Sequence, residues 1–166
     1  YRIMGDPDAA SDATQEAFIS VWKHIGGFRG GSFKSWLLRI VTNACYDELR
    51  RVKRRPASSL ESLYVEDPTP DAGLPPSQLE SPEAFTQRRE LNRALQAGIA
   101  QLPPDQRITL VLSDVQGSSY EEIAEATHTN LGTVKSRLSR ARARLRDLLE
   151  QEELLPTEYR LQGKGV

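Results

Sequence analysis

The sequence predicts an all-α fold of two small helical domains joined by an extended acidic linker. Three observations carry that prediction. Apolar residues recur at steps of three and four through the long stretches on either side of the middle, and no segment alternates as a half-buried strand would. Charge is segregated even though the formal net charge is only −1: residues 1–55 hold ten Lys or Arg against six acids, and residues 88–149 hold ten against seven. Between them, residues 56–87 contain six acids, six prolines and no base, with too few apolar side chains for a core. The expected layout is a first domain over 1–55, a linker over 56–87, a second domain over 88–150 and a tail over 151–166, for which the sequence suggests no role.

Asp6-Pro7-Asp8 marks a helix start, since proline suits a first helical turn. The chain opens at Tyr1 in what reads as mid-helix, so the beginning of the first domain is expected to be missing. In the helix that follows, Ala13, Ala17, Phe18, Val21, Trp22 and Ile25 recur at helical spacing, while Asp12, Gln15 and Glu16 form a polar ridge. Gly26-Gly27 stops it. The loop GGFRGGSF sets four glycines around Phe28, Arg29 and Phe33, freeing the backbone while presenting aromatic and cationic groups.

A second long helix is expected from Ser32 to Arg55, with Phe33, Leu37, Ile40, Val41, Ala44 and Leu49 as its inner stripe. Trp36, Arg39, Asn43, Tyr46 and Arg50 gather on a neighbouring side. Aromatics that stack on bases, beside cations that follow a backbone, suit single-stranded DNA. Against this stands the plain alternative that Trp36 belongs to the core, and that the Arg50–Arg55 run answers the helix dipole.

In the second domain, Tyr120, Ile123, Ala124 and Thr127 share one side of a short helix capped by Ser118 or Ser119. His128 to Gly132 make a tight turn, and a further helix begins near Asn130. Its apolar stripe runs Val134, Leu138, Ala141, Leu145 and Leu148; Lys135, Ser136, Ser139 and Arg140 project opposite, flanked by Arg137 and Arg144. Two helices and a tight turn form a helix-turn-helix, whose second helix places its first residues in a DNA major groove. An ordinary helical hairpin with a solvated basic face is the alternative.

Chemistry beyond binding finds no support. Cys45 is the single cysteine, which excludes an internal disulfide and suits a reducing compartment such as the cytoplasm. His24 and His128 are isolated, so neither a metal centre, a cofactor nor a catalytic residue is expected, and the chain does not read as an enzyme. No run approaches the 18 or so apolar residues that would insert in a membrane.

Two motif sets together carry a family resemblance. DPDAASDATQEAFISVWKHI with FRGGSFKSWLLRIVTNACYDELRR resembles region 2, and LPPDQRITLVLSDVQGSSYEEIAEATHTNLGTVKSRLSRARARL resembles region 4, of bacterial RNA polymerase sigma factors of the extracytoplasmic-function (ECF) type, in the sigma-70 superfamily. Order, spacing and intervening linker agree. His128 and Asn130 depart from the pattern, standing where family members often carry glycine and proline.

The resemblance implies a transcription initiation factor that binds core RNA polymerase and promoter DNA and that pairs with an anti-sigma factor. By matching positions, Asp12, Gln15, Glu16, Phe18 and Trp22 would dock on the clamp helices of the polymerase's largest subunit. Phe28, Arg29, Phe33, Trp36, Asn43 and Arg50 would open the −10 element and hold a flipped base. Lys135, Ser136, Arg137, Ser139 and Arg140 would read the −35 element. The linker would thread the RNA-exit path. The competing expectation is a stand-alone helix-turn-helix regulator acting on duplex DNA.

Overall fold

In the computed structural model, residues 1–54 and 82–151 are described, and among them every regular element is helical. The order is α1 (Pro7–His24), a 3₁₀ turn (Ile25–Gly27), α2 (Phe33–Arg54), α3 (Pro82–Ala100), α4 (Pro104–Leu110) running into a π turn (Val111–Val115), α5 (Tyr120–Ala126) and α6 (Leu131–Gln151). The all-α expectation holds. Residues 56–81 of the expected linker and 152–166 of the tail lie outside the described residues; residues 82–87, expected to be linker, instead form the start of α3, where Pro82 suits a first helical turn.

Helix α1 begins where proline and its neighbour dictate: the Asp6 carboxylate accepts from the Ala9 N–H at 2.7 Å, with Pro7 at the first position. Its buried residues are Ala9, Ala13 and Ala17, a stripe of small side chains that lets α1 and α2 approach closely. The fold fully buries no large side chain on this helix: Val21 is half-buried, and Phe18 and Trp22 stay outside.

Helix α2 departs from its expected stripe. Ser35, Thr42, Ala44, Cys45 and Glu48 are buried, whereas Phe33 is exposed and Leu37 and Ile40 are only half-buried. The cause is the surroundings: α2 packs on α1 and also on α4 and α5, so it buries parts of several faces rather than one. Buried Glu48 is matched by Arg51, whose guanidinium Nε lies 2.7 Å from it and also pairs with Asp12 of α1.

In the second half, Leu102, Ile108, Ile123, Val134, Leu138 and Ala141 are almost fully buried and fix α4, α5 and α6 around a common centre. Burying one such Ile or Leu side chain is worth about 1.5–3 kcal/mol. Val134, Leu138 and Ala141 form the expected seam of α6, with Leu145 and Leu148 half-buried behind it. At Gly98 a Cβ would come within 2.7 Å of Leu145, so glycine sets how closely α3 and α6 meet.

The two halves do not stand apart. Met4, Ala9, Ala13 and Cys45 of the first join Ile99, Ile108, Ile123 and Val134 of the second in one apolar cluster. Arg107 ties them further: its guanidinium, half-buried, donates to the carbonyl of Ile3 at 3.2 Å, to that of Leu102 at 3.2 Å, and to that of Ala100. Desolvation there pulls the Arg107 pKa down. Nothing in the charge pattern anticipates this packing.

Candidate nucleic-acid and polymerase interface

The helix-turn-helix is built as the residues require. Ser119 closes a capping box, accepting from the Glu122 N–H at 3.2 Å while the Glu122 carboxylate accepts from the Ser119 N–H at 2.9 Å. Ser118, the other candidate cap, is buried instead. In the turn, His128 takes φ 52°, the left-handed conformation that glycine adopts freely. The Asn130 side chain then accepts from Thr133 N–H at 2.8 Å and starts α6.

On α6, Lys135, Ser139 and Arg140 are exposed, as expected of a recognition face. Ser136 is half-buried and its hydroxyl donates to the Thr133 carbonyl at 3.0 Å. Arg137 differs from expectation. Its side chain is 20% exposed and donates at 2.9 Å to Asp105 of α4, while its Nη1 is buried with no acceptor. An orphaned donor costs about 1–3 kcal/mol. Further along, Arg142 makes a two-bond fork to Asp114, at 2.7 and 3.0 Å, which holds the Asp114 pKa below the usual carboxylate range. Lys135, Ser139, Arg142 and Arg146 line a basic groove of about 400 Å³ beside Tyr120.

In the first half, Phe28, Phe33 and Trp36 form a three-ring cluster with centroids 5.5–5.7 Å apart. None of the three belongs to the buried core, so the core alternative for Trp36 is not what is seen. Gly30 and Gly31, at φ 97° and 92°, fold the loop so that Phe28 reaches back to the helix, with Arg29 exposed between. Asn43 and Arg50 follow Trp36 at seven-residue intervals, about 10 Å apart along one side of α2. They are not gathered with the rings. Instead Asn43, Tyr46 and Arg50 look into a cleft of about 400 Å³ whose other wall is Asp105, His128 and Arg137 of the second half.

Tyr46 is the centre of that cleft. Burial, and then the Asp105 carboxylate beside its hydroxyl, push its pKa up to about 12, and the Arg50 guanidinium lies 6.0 Å from its ring. Outside the cleft, Lys34 of α2 pairs with Glu122 of α5 at 2.9 Å. That ammonium, followed by the Ser119 N–H, holds the Glu122 pKa below its usual value. Sequence reading missed Lys34, Asp105 and Glu122, since partners 88 residues apart leave no local signature.

On α1, Phe18 and Trp22 are 70% and 83% exposed, one turn apart, with Ile19 and Ile25 extending the apolar patch. Glu16 and Gln15 are exposed beside it, the latter's amide donating to Ser11 at 3.4 Å, and Asp12 is held by Arg51.

Family comparison assigns this arrangement. Residues 1–55 match the sigma-70 region 2 model and residues 92–145 match sigma-70 region 4. The chain is 39% identical over 143 residues to the RNA polymerase sigma-H factor of Pseudomonas aeruginosa, covering 85% of itself and 73% of that protein. The chain belongs to the sigma-70 family of RNA polymerase sigma factors. It is also 39% identical over 149 residues to the ECF sigma factor SigE of Mycolicibacterium smegmatis, covering 90% of itself but only 55% of that relative. A sigma factor RpoE from Bartonella quintana, solved in complex with the anti-sigma factor NepR, superposes with a TM-score of 0.57 at 30% identity, covering 89% of this chain and 85% of that one. The helices over 7–54 are thus those of region 2, and those over 92–145 those of region 4. No described helix of this sigma factor is long and apolar enough to cross a membrane.

Proposed function

We propose that the chain is an ECF-type transcription initiation factor acting in the cytoplasm. Residues 1–55 dock on core RNA polymerase and open the −10 element, residues 88–150 read the −35 element, and an anti-sigma factor holds the protein in reserve. One observation carries this over the stand-alone regulator: Phe18 and Trp22 stand exposed on a helix whose buried residues are all alanines. A large aromatic that the fold does not use is an anchor for a protein partner. A regulator acting alone on duplex DNA has no task for that patch, nor for the Phe28, Phe33 and Trp36 rings.

The mechanism follows from the side chains. Phe18 and Trp22 enter pockets on the clamp helices, with Asp12, Gln15 and Glu16 as the polar rim. Lys135, Ser139 and Arg140, with Ser136 beside them, face the −35 major groove, and Arg137 joins them on leaving Asp105; a good bidentate pair there discriminates by about 1–3 kcal/mol. The aromatic cluster with Arg29 receives bases of the −10 strand by stacking, worth about 1–3 kcal/mol each, and Asn43 and Arg50 supply donors and charge along α2. The test is co-elution with core polymerase and transcription from a promoter library. Phe18→Ala with Trp22→Ala should weaken core binding by at least about 30-fold, as loss of a 2 kcal/mol anchor requires, with the melting curve unchanged. A dimer that binds a palindromic duplex and ignores core enzyme would establish the regulator instead.

A further inference from the structure

Arg142 stands on the face that reads DNA but behind the residues that read it. Lys135, Ser139, Arg142 and Arg146 follow one another along one side of α6 and line a single groove beside Tyr120. Seven residues of helix put Arg142 about 10 Å behind Lys135. The major groove is about 8.5 Å deep, so a side chain that far back from the inserted end of the helix stands level with the phosphates rather than the base edges. A guanidinium there meets acceptors of the sugar-phosphate backbone.

This arginine is not left to swing. Its Nε and Nη2 donate to Asp114 at 3.0 and 2.7 Å, so Nη1, on the far side of the guanidinium, stays clear of that carboxylate. Asp114 is itself held by the π turn, in which the Gln116 N–H donates to the Val111 carbonyl at 3.0 Å and Val111 and Leu112 are buried. Such turns are rare and gather at functional positions. The arginine and aspartate side chains are 48% and 36% exposed, and an ion pair in that setting adds little to folding stability. Its effect falls on the arginine instead, fixing where one positive charge lies and partly neutralising it.

We propose that Asp114 is a specificity-determining residue of the −35 complex: it positions Arg142 for one backbone phosphate beside the element and withholds that charge from DNA bound in any other register. This deepens the initiation-factor reading above and rests on it. Phosphate contacts set register. A fixed guanidinium meets its phosphate only when the recognition helix sits on the right bases, whereas a free one finds a phosphate on any sequence.

The test uses holoenzyme assembled from the full chain and core polymerase, with closed-complex affinity measured across a salt series on two duplexes. One is a promoter chosen by transcription; the other is the same duplex with its −35 element scrambled. Arg142→Ala should weaken the promoter complex at least about threefold and lower its salt slope by about 0.9, the amount for one phosphate. Asp114→Asn should tighten binding to the scrambled duplex at least about threefold and raise the slope there by about 0.9, without tightening the promoter complex. Arg142→Lys, which keeps the charge but cannot form the fork, should do the same. With Arg142 already changed to Ala, Asp114→Asn should have no further effect. Three results would each overturn the proposal. An unchanged promoter slope in Arg142→Ala removes the phosphate contact. Equal tightening on both duplexes, or the same gain from Asp114→Asn in the Arg142→Ala background, shows Asp114 acting through its own charge alone. A lower melting temperature with unaltered discrimination reduces the fork to a staple of the fold. If the unmodified protein forms no holoenzyme or ignores the −35 element, the initiation-factor reading fails instead, and the salt slope of the free chain on duplex still decides whether Arg142 meets a phosphate.

Discussion

At the residue scale, two side chains in the shared interface have environments that make measurable demands. Tyr46 has its pKa raised to about 12, chiefly by burial, so the folded state favours the neutral phenol. For a raised pKa the associated stability is fully present below the ordinary tyrosine value near 10 and is lost as pH rises from there towards 12. Ultraviolet titration should therefore show a late tyrosinate component that is missing from Tyr46→Phe. Arg107 is a second such residue. Truncating it to Ala removes the donor from carbonyls on Ile3, Ala100 and Leu102, and should destabilise the protein by about 2–4 kcal/mol in urea unfolding. Neither role was legible in the sequence. Tyr46 read as part of an aromatic DNA surface and Arg107 had no reading, because burial of a polar side chain depends on a partner far away along the chain. The exposed residues fared differently: Phe18 and Trp22 were picked out as a docking surface by resemblance, and their exposure supports that reading independently.

At the scale of elements, most of the fold was readable because local rules and tertiary packing agree. Pro7 and Asp6 start α1, Ser119 with Glu122 starts α5, Asn130 starts α6, and the Val134, Leu138, Ala141 seam faces inward. Where reading slipped, at the buried stripe of α2, one helix serves several neighbours and a single-face pattern no longer applies. The departure at His128 is the informative case. A residue with a Cβ occupies a left-handed position at the C-terminal end of α5, φ 52°, where glycine is usual. The left-handed penalty for a non-glycine is about 1–2 kcal/mol, and glycine's extra freedom in the unfolded chain returns roughly 0.5–1 of it. His128→Gly should therefore stabilise the protein by about 0.5–1 kcal/mol. A lower melting temperature for that variant would mean that the imidazole makes contacts worth more than the backbone strain.

At the scale of the whole molecule, the charge pattern led to two helical units on a tether and was silent on whether they touch. Opposite charges in different blocks, such as Lys34 and Glu122, do not announce that they will meet, and the apolar stripes of the two halves look complete when each is read alone. Yet Met4, Ala9, Ala13 and Cys45 share one cluster with Ile99, Ile108, Ile123 and Val134, and Arg107 bridges the halves through the Ile3 carbonyl. Each half is small enough that its own core is marginal, so the shared surface contributes a large part of the stability of both. The expected outcome is a single cooperative transition in calorimetry of the full chain, with calorimetric and van't Hoff enthalpies in agreement. A fragment spanning 88–151 should melt at a lower temperature than the full chain. Acid should separate the halves before it unfolds them. The Glu122 pKa is depressed, so the stability it lends through its pair with Lys34 is present above the ordinary glutamate value of about 4.5 and is lost as pH falls below it. Small-angle scattering across that range should show the particle enlarging while helical circular dichroism is still intact. Two resolved thermal transitions at neutral pH, with the 88–151 fragment as stable as the corresponding part of the full chain, would show instead that the halves touch without depending on each other.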